Sequence, residues 1–138
     1  MLTLPQSIVT RARSYEAKVS RARPERVRSP MNKTEARFAE VLDARIADGT
    51  LVEYWYEDYT FQLGDNCRYT PDFVLALPDG TLEVVEVKSK RRGGGDGYYA
   101  ENDAHAKIRV FSRQFPFRIR VVWESALGVW REKRIGSD

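Results

Sequence analysis

Apolar residues recur along this chain in two periods, and the switches between them mark its elements. Over residues 32–48, Phe38, Leu42 and Ile46 return every four positions, the stripe of a helix, and Gly49 follows as a terminator. Residues 51–63 turn to Tyr, Trp and Phe, which suits one or two strands around a bend near Glu57-Asp58. Residues 69–77 and 81–88 are apolar runs on either side of Pro78-Asp79-Gly80, which predicts a β-hairpin. A second helix is predicted over 101–114, with Ala104, Ile108, Phe111 and Phe115 along one side and Pro116 closing it. Residues 117–123 alternate into a strand, and 129–135 add a last short one. The order αβ(β)ββαβ predicts an α+β or α/β fold, a mixed β-sheet flanked by helices.

Ahead of this body lies an arm, residues 1–30. Ile8, Ala12, Tyr15, Val19 and Ala22 step by four and three, a heptad-like stripe that predicts a helix over 7–23, closed by Pro24 and Pro30. The stripe is short and partly alanine, so such a helix would need to dock on the body or on a second copy of the chain. Charge adds a second property to the arm. Residues 1–30 hold seven Lys/Arg against two Asp/Glu, a local charge of +5, whereas residues 31–138 sum to −2. A basic arm on a nearly neutral body suits a polyanionic partner, nucleic acid first, or is a solvated tail. The division is therefore a basic arm, 1–30, and one domain, 31–138.

Composition narrows the chemistry. With 138 residues, 42% of them hydrophobic, the chain can bury one core but not two. No apolar run approaches the length of a membrane span, and no signal-peptide pattern follows Met1, so no membrane partner is expected. The single cysteine, Cys67, cannot form an internal disulfide, and the expected compartment is the cytoplasm. The single histidine, His105, excludes His-rich metal sites, so a metal here would be held by oxygen, as Mg²⁺ or Mn²⁺ is. His105 itself reads as an ordinary surface residue and Cys67 as structural.

Against that background the hairpin is anomalous. It carries Asp72, Glu86 and Lys88 inside its apolar runs. Pro78 and Asp79 fit the central positions of a type I turn, and Gly80 can take the left-handed conformation that follows. This three-residue loop pairs Ala76 with Leu82, Val74 with Val84 and Asp72 with Glu86. The two carboxylates then face each other with Cβ atoms about 5 Å apart, and Lys88 shares their face. Like charges opposed in a sheet repel, and burial raises the cost. A divalent cation between them removes both objections. The plainer alternative is an exposed edge strand.

The first helix adds a third acid. At about 100° per residue Glu35 falls within about 20° of Leu42 and Ile46, in the middle of the apolar stripe. Asn32-x-x-Glu35 also fits a capping box, which does not preclude a site role.

Glu35, then Pro71-Asp72, then Glu86-Val87-Lys88 resembles the PD-(D/E)XK nuclease superfamily. The segments "NKTEARF", "YTPDFVLALPDG" and "VVEVKSK" are similar to a phage and prophage endonuclease family of the branched-DNA, Holliday-junction-resolving type. The resemblance spans roughly residues 31–123. It implies a restriction-endonuclease-like core and a Mg²⁺- or Mn²⁺-dependent endodeoxyribonuclease. Asp72, Glu86 and the Val87 backbone carbonyl would be metal ligands, Glu35 would complete the shell and Lys88 would orient the attacking water. It further implies DNA, branched DNA included, as partner, and a homodimer where two strands are cut symmetrically.

Lys107, Arg109 and Arg113 on the second helix are candidate phosphate contacts. For Lys107 the alternative is an i,i+4 pair with Asp103 on an exposed basic face. Arg91 and Arg92 open a glycine-rich loop (91–97) and could close on DNA backbone; Tyr98 and Tyr99 could stack on bases or pack in the core. A non-catalytic DNA-binding or packaging accessory on the same fold is the competing function. An RNA substrate and a sequence-specific restriction-like enzyme stand further back.

Overall fold

The computed structural model describes residues 19–21, 30–90 and 102–136. Asn32 opens the first helix, α1 (Lys33–Asp48), through a complete capping box. Its side chain accepts from the Glu35 N–H at 2.8 Å, and Glu35 Oε1 accepts from the Asn32 N–H at 2.9 Å. Gly49 ends the helix at φ 84°, a left-handed cap suited to glycine. Phe38, Ala39 and Leu42 are buried, as the stripe requires. Ile46, expected with them, is 40% exposed, because the final turn from Ile46 to Asp48 faces solvent.

After α1 the chain makes two strands, β2 (Glu53–Tyr56) and β3 (Tyr59–Gly64), separated by a bend where Glu57 sits at φ 49°. The bend is where expected, but the two strands enter different sheets. β3 is central in a three-stranded antiparallel sheet, between β1 (Val19–Arg21) and β4 (Cys67–Tyr69). β2 is the edge of a five-stranded sheet ordered β2-β5-β6-β7-β8, built with β5 (Phe73–Ala76), β6 (Leu82–Lys88), β7 (Arg118–Ala126) and β8 (Val129–Ile135). Within it, β6 and β7 run parallel and every other pair is antiparallel. A parallel pair needs a crossover, and α2 (Asn102–Gln114) lies in that connection. The fold is α+β. None of the described helices is long and apolar enough to cross a membrane.

Two expectations are corrected. Val19–Arg21, predicted to lie in a helix over 7–23, forms β1 and pairs Val19 with Phe61, Ser20 with Thr60 and Arg21 with Tyr59. The edge of β3 offers backbone hydrogen bonds that outweigh a weak two-alanine stripe. The rest of that stretch lies outside the described residues. The run predicted over 69–77 is also broken: Tyr69 ends β4, and β5 starts at Phe73. Pro71 has no N–H for a ladder, so the chain changes sheets around it.

Alternation across the five-stranded sheet divides the core in two. Val74, Val84, Ile119 and Val121 pack with Phe61, Tyr69, Ile108, Phe111 and Phe115, between the sheet, β3–β4 and α2. Phe73, Leu75, Val85, Val87 and Val122 pack with Phe38 and Leu42 of α1 on the opposite face. Burial of such side chains contributes about 1.5–3 kcal/mol each. These two layers fix the positions of β5, which Asp72 immediately precedes, and β6, which carries Glu86.

Candidate active site

The hairpin turn has the expected geometry. Leu77 N–H donates to Thr81 O at 2.9 Å, Gly80 N–H to Leu77 O at 3.0 Å, and Gly80 takes φ 85°. Asp79 braces the loop by accepting from the Thr81 N–H and hydroxyl. The strands pair Ala76 with Leu82, Val74 with Val84 and Phe73 with Val85. One residue further out, the register brings Asp72 to Glu86.

These two acids are laced together through the backbone. Glu86 Oε1 accepts from the Asp72 N–H at 3.2 Å, and Asp72 Oδ2 accepts from the Val87 N–H at 2.9 Å. Glu86 is 7% exposed and also accepts a 2.6 Å bond from the Tyr69 hydroxyl. Lys88 Nζ stands 3.9 Å from Glu86 Oε2 and is half-buried. Asp72, Glu86, Val87 and Lys88 are thus brought together as expected from the turn.

Burial, then the Glu86 charge beside it, pushes the Asp72 carboxyl up to about 9, against the pull of the Val87 N–H; Glu35 adds to the rise. Burial also raises Glu86, opposed by the Tyr69 hydroxyl, Lys88 and the Asp72 N–H. Without a cation, the pair therefore holds a proton between two carboxylates that cannot both ionise cheaply. Burial and the Glu86 charge hold the Tyr69 phenol well above its ordinary range, so it stays a donor.

Glu35 arrives from the other side of the sheet. It is 7% exposed, and its Oε1 accepts from the Tyr56 hydroxyl at 3.2 Å as well as from the Asn32 N–H. Burial, followed by the charges of Glu35, Glu57 and Asp72, raises the Tyr56 phenol. Glu35 is therefore linked to the pair through Tyr56 and the field at Asp72. Among the described residues no three His, Cys, Asp or Glu side chains meet at one point able to hold a metal ion.

The second helix distributes its basic residues differently. Lys107 Nζ donates to the Arg68 carbonyl at 3.0 Å, tying α2 to β4. Arg109 and Arg113 are exposed and line a groove against β8. Arg91, Arg92, the glycine-rich loop, Tyr98, Tyr99 and the Asp103 side chain lie outside the described residues. His105 is half-buried rather than freely exposed, and burial, followed by Arg109, Lys133 and Lys88, lowers its pKa.

Tyr69 and Tyr56 escaped the reading of the sequence as site residues. Both end strands that meet the acids only through tertiary pairing, and neither belongs to a local motif. No family model, no curated protein and no solved structure matches the chain.

Proposed function

We propose that the protein is a metal-dependent endodeoxyribonuclease on a restriction-endonuclease-like core, a phosphodiester hydrolase of the PD-(D/E)XK type. The observation that carries this reading is the Asp72–Glu86 pair. Two carboxyl groups are held together by reciprocal backbone hydrogen bonds, with an ammonium group 3.9 Å from one of them. A fold tolerates such a pair at a cost, and the cost has a purpose if a hard divalent cation replaces the shared proton.

The donor set fits Mg²⁺ or Mn²⁺: oxygen only, with no soft ligand among these residues. The Asp72 and Glu86 carboxylates and the Val87 carbonyl would hold the ion, with Glu35 reaching it through water. A bound ion supplies charge relief on the phosphate oxygens. Tyr69 and the Asp72 N–H hold Glu86 in place, and the Val87 N–H does the same for Asp72. Lys88 orients the attacking water and stabilises negative charge as it grows on phosphorus. The water oxygen forms the new P–O bond, one bridging P–O bond breaks, and a proton passes to the leaving oxygen.

Branched DNA, including four-way junctions, is the substrate form the reading favours. Symmetric cutting of a junction would engage two copies of the chain. The test is cleavage of linear, nicked and four-way-junction DNA with Mg²⁺ or Mn²⁺. Wild type is expected to cut, and Glu86→Ala and Lys88→Ala to lose about 10²–10³-fold or more. Equal cleavage by wild type and Glu86→Ala overturns the assignment. Binding with no cleavage by wild type would return the accessory function.

A further inference from the structure

We infer that the groove between α2 and β8 is a binding subsite for a run of consecutive nucleic-acid phosphates, leading to the Asp72–Glu86 centre. The groove encloses about 690 Å³ and is lined by His105, Arg109, Ser112, Arg113, Lys133, Arg134, Ile135 and Gly136. On α2 the basic residues recur at four-residue spacing, so Arg109 and Arg113 follow His105 along one face while Ile108 and Phe111 turn to the core. On β8, Lys133 shares a face with Ile135 by the two-residue period, whereas Arg134, the register partner of Arg120, belongs to the opposite face and only borders the groove, as does Gly136 beyond the strand end.

Several observations favour a polyanion over other occupants. Four Lys/Arg line the groove and, among the described residues, no carboxylate does. The opposite side of β8 contrasts with this. There Arg120 is neutralised by Glu83 at 2.7 Å and Glu132 at 2.6 Å, the arrangement of a structural cation. Arg109, Arg113, Lys133 and Arg134 make no ion pair among the described residues. Small-molecule pockets are predominantly apolar, whereas Ile135 is the one large aliphatic side chain here. The walls are also fixed to each other: a Cβ on Gly136 would come within 3.1 Å of Ser112 Cβ, so strand end and helix sit in close contact.

The groove lies beside the Asp72–Glu86 centre, because the sheet register sets Lys133 in one row with Val121 and Glu86, two strands over. A backbone passing the Asp72–Glu86 pair and Lys88 thus meets Lys133 on β8 and, across the groove, Arg109 and Arg113 on α2. None of this follows from the helix alone, because Lys133 and Arg134 come from a strand some twenty residues further on. Assigning the polyanion as DNA rests on the nuclease reading above.

The experiment measures binding by fluorescence anisotropy in EDTA, so that chemistry is not engaged. Probes are a labelled duplex, a four-way junction, and single strands of DNA and RNA, over a salt series. The groove double variant Arg113→Gln/Lys133→Gln is compared with Arg45→Gln/Arg68→Gln, which removes the same charge elsewhere. Thermal melts check that each variant folds. The groove variant is expected to bind DNA about tenfold or more weakly at low salt, with the log–log salt slope reduced by about two; the control keeps the wild-type slope. Groove and control variants weakened alike, a groove variant that binds as wild type, or a wild type that binds no nucleic acid overturns the inference. RNA bound more tightly than DNA of the same form overturns the DNA assignment. If wild type cuts in a Glu86-dependent way but the groove variant binds normally, the groove fails alone. If nothing is cut but the groove result holds, the nuclease reading fails alone.

Discussion

Asp72 puts the residue-scale argument in its sharpest form, because its neighbours give opposite instructions. Burial and Glu86 favour its protonated form, whereas the Val87 N–H favours the carboxylate. The net is a group near 9 against an ordinary value of 3.8. The sign follows from proton counts. Between those values the folded chain holds a proton that the unfolded chain has released. Stability from this group is therefore fully present below about pH 4 and is lost as pH rises through about 9. The slope for one proton cannot exceed about 1.4 kcal/mol per pH unit. Metal-free protein is expected to melt at progressively lower temperature from pH 5 to pH 9. Asp72→Asn keeps an acceptor for the Val87 N–H but has no proton to lose, so its melting temperature should depend less on pH. Added Mg²⁺, which competes with the proton, should stabilise wild type more at pH 8.5 than at pH 5.5. Equal pH slopes for wild type and Asp72→Asn in EDTA would show that the shared proton is not held there.

At the scale of elements, the hairpin makes the site, and its turn makes the hairpin. Gly80 at φ 85° and the Leu77–Thr81 hydrogen bond set a three-residue loop, and the loop sets which residues oppose each other. Deleting Thr81 would leave the three-residue loop in place but shift the pairing by one, setting Asp72 opposite Val87, on the wrong face for Glu86. That variant should lose metal-dependent cleavage by about 10²-fold or more, the scale expected when a reacting group is misplaced. Gly80→Ala strains the turn by about 1–2 kcal/mol but keeps the register, so it should melt earlier and cut at the wild-type rate below its transition. Cleavage by the deletion variant at the rate of Gly80→Ala would mean that register does not set the site. This hairpin was legible from residues alone because Pro78, Asp79 and Gly80 determine its geometry within three positions. The same locality made the Asn32–Glu35 capping box and the helix ends readable. β1 was not legible, since its partner β3 lies about forty residues away and no local pattern announces the pairing. Tyr69 was missed for the same reason: it reaches Glu86 only after the chain breaks at Pro71 and changes sheets. The α2–β8 groove is likewise a product of assembly, because Lys133 comes from a strand that shows in the sequence only as a last short one.

For the molecule as a whole, the open question is what residues 1–30 contribute, and β1 gives them a task within their own chain. β3 carries Phe61, 1% exposed at the centre of the larger core cluster, and it is flanked by β1 on one side and β4 on the other. Val19, on β1, packs against that cluster. Removing residues 1–30 would strip three residues of ladder from β3 and expose its edge to water and to other chains. The loss should be about 1–3 kcal/mol, the burial of one β-branched side chain plus a few net hydrogen bonds. The effect should also reach the site. β4 hangs on β3, and its Tyr69 holds Glu86 at 2.6 Å, so a loosened β3 loosens a donor to the acidic pair. The truncated chain is expected to unfold at lower urea and to self-associate more as concentration rises, read by light scattering. Its cleavage should decline at temperatures where wild type is still fully active. An arm that instead joins two copies makes a different forecast: deletion would halve the mass of a dimer and leave the urea midpoint of the remaining fold unchanged. That pair of results would take β1 out of the architecture that positions the site.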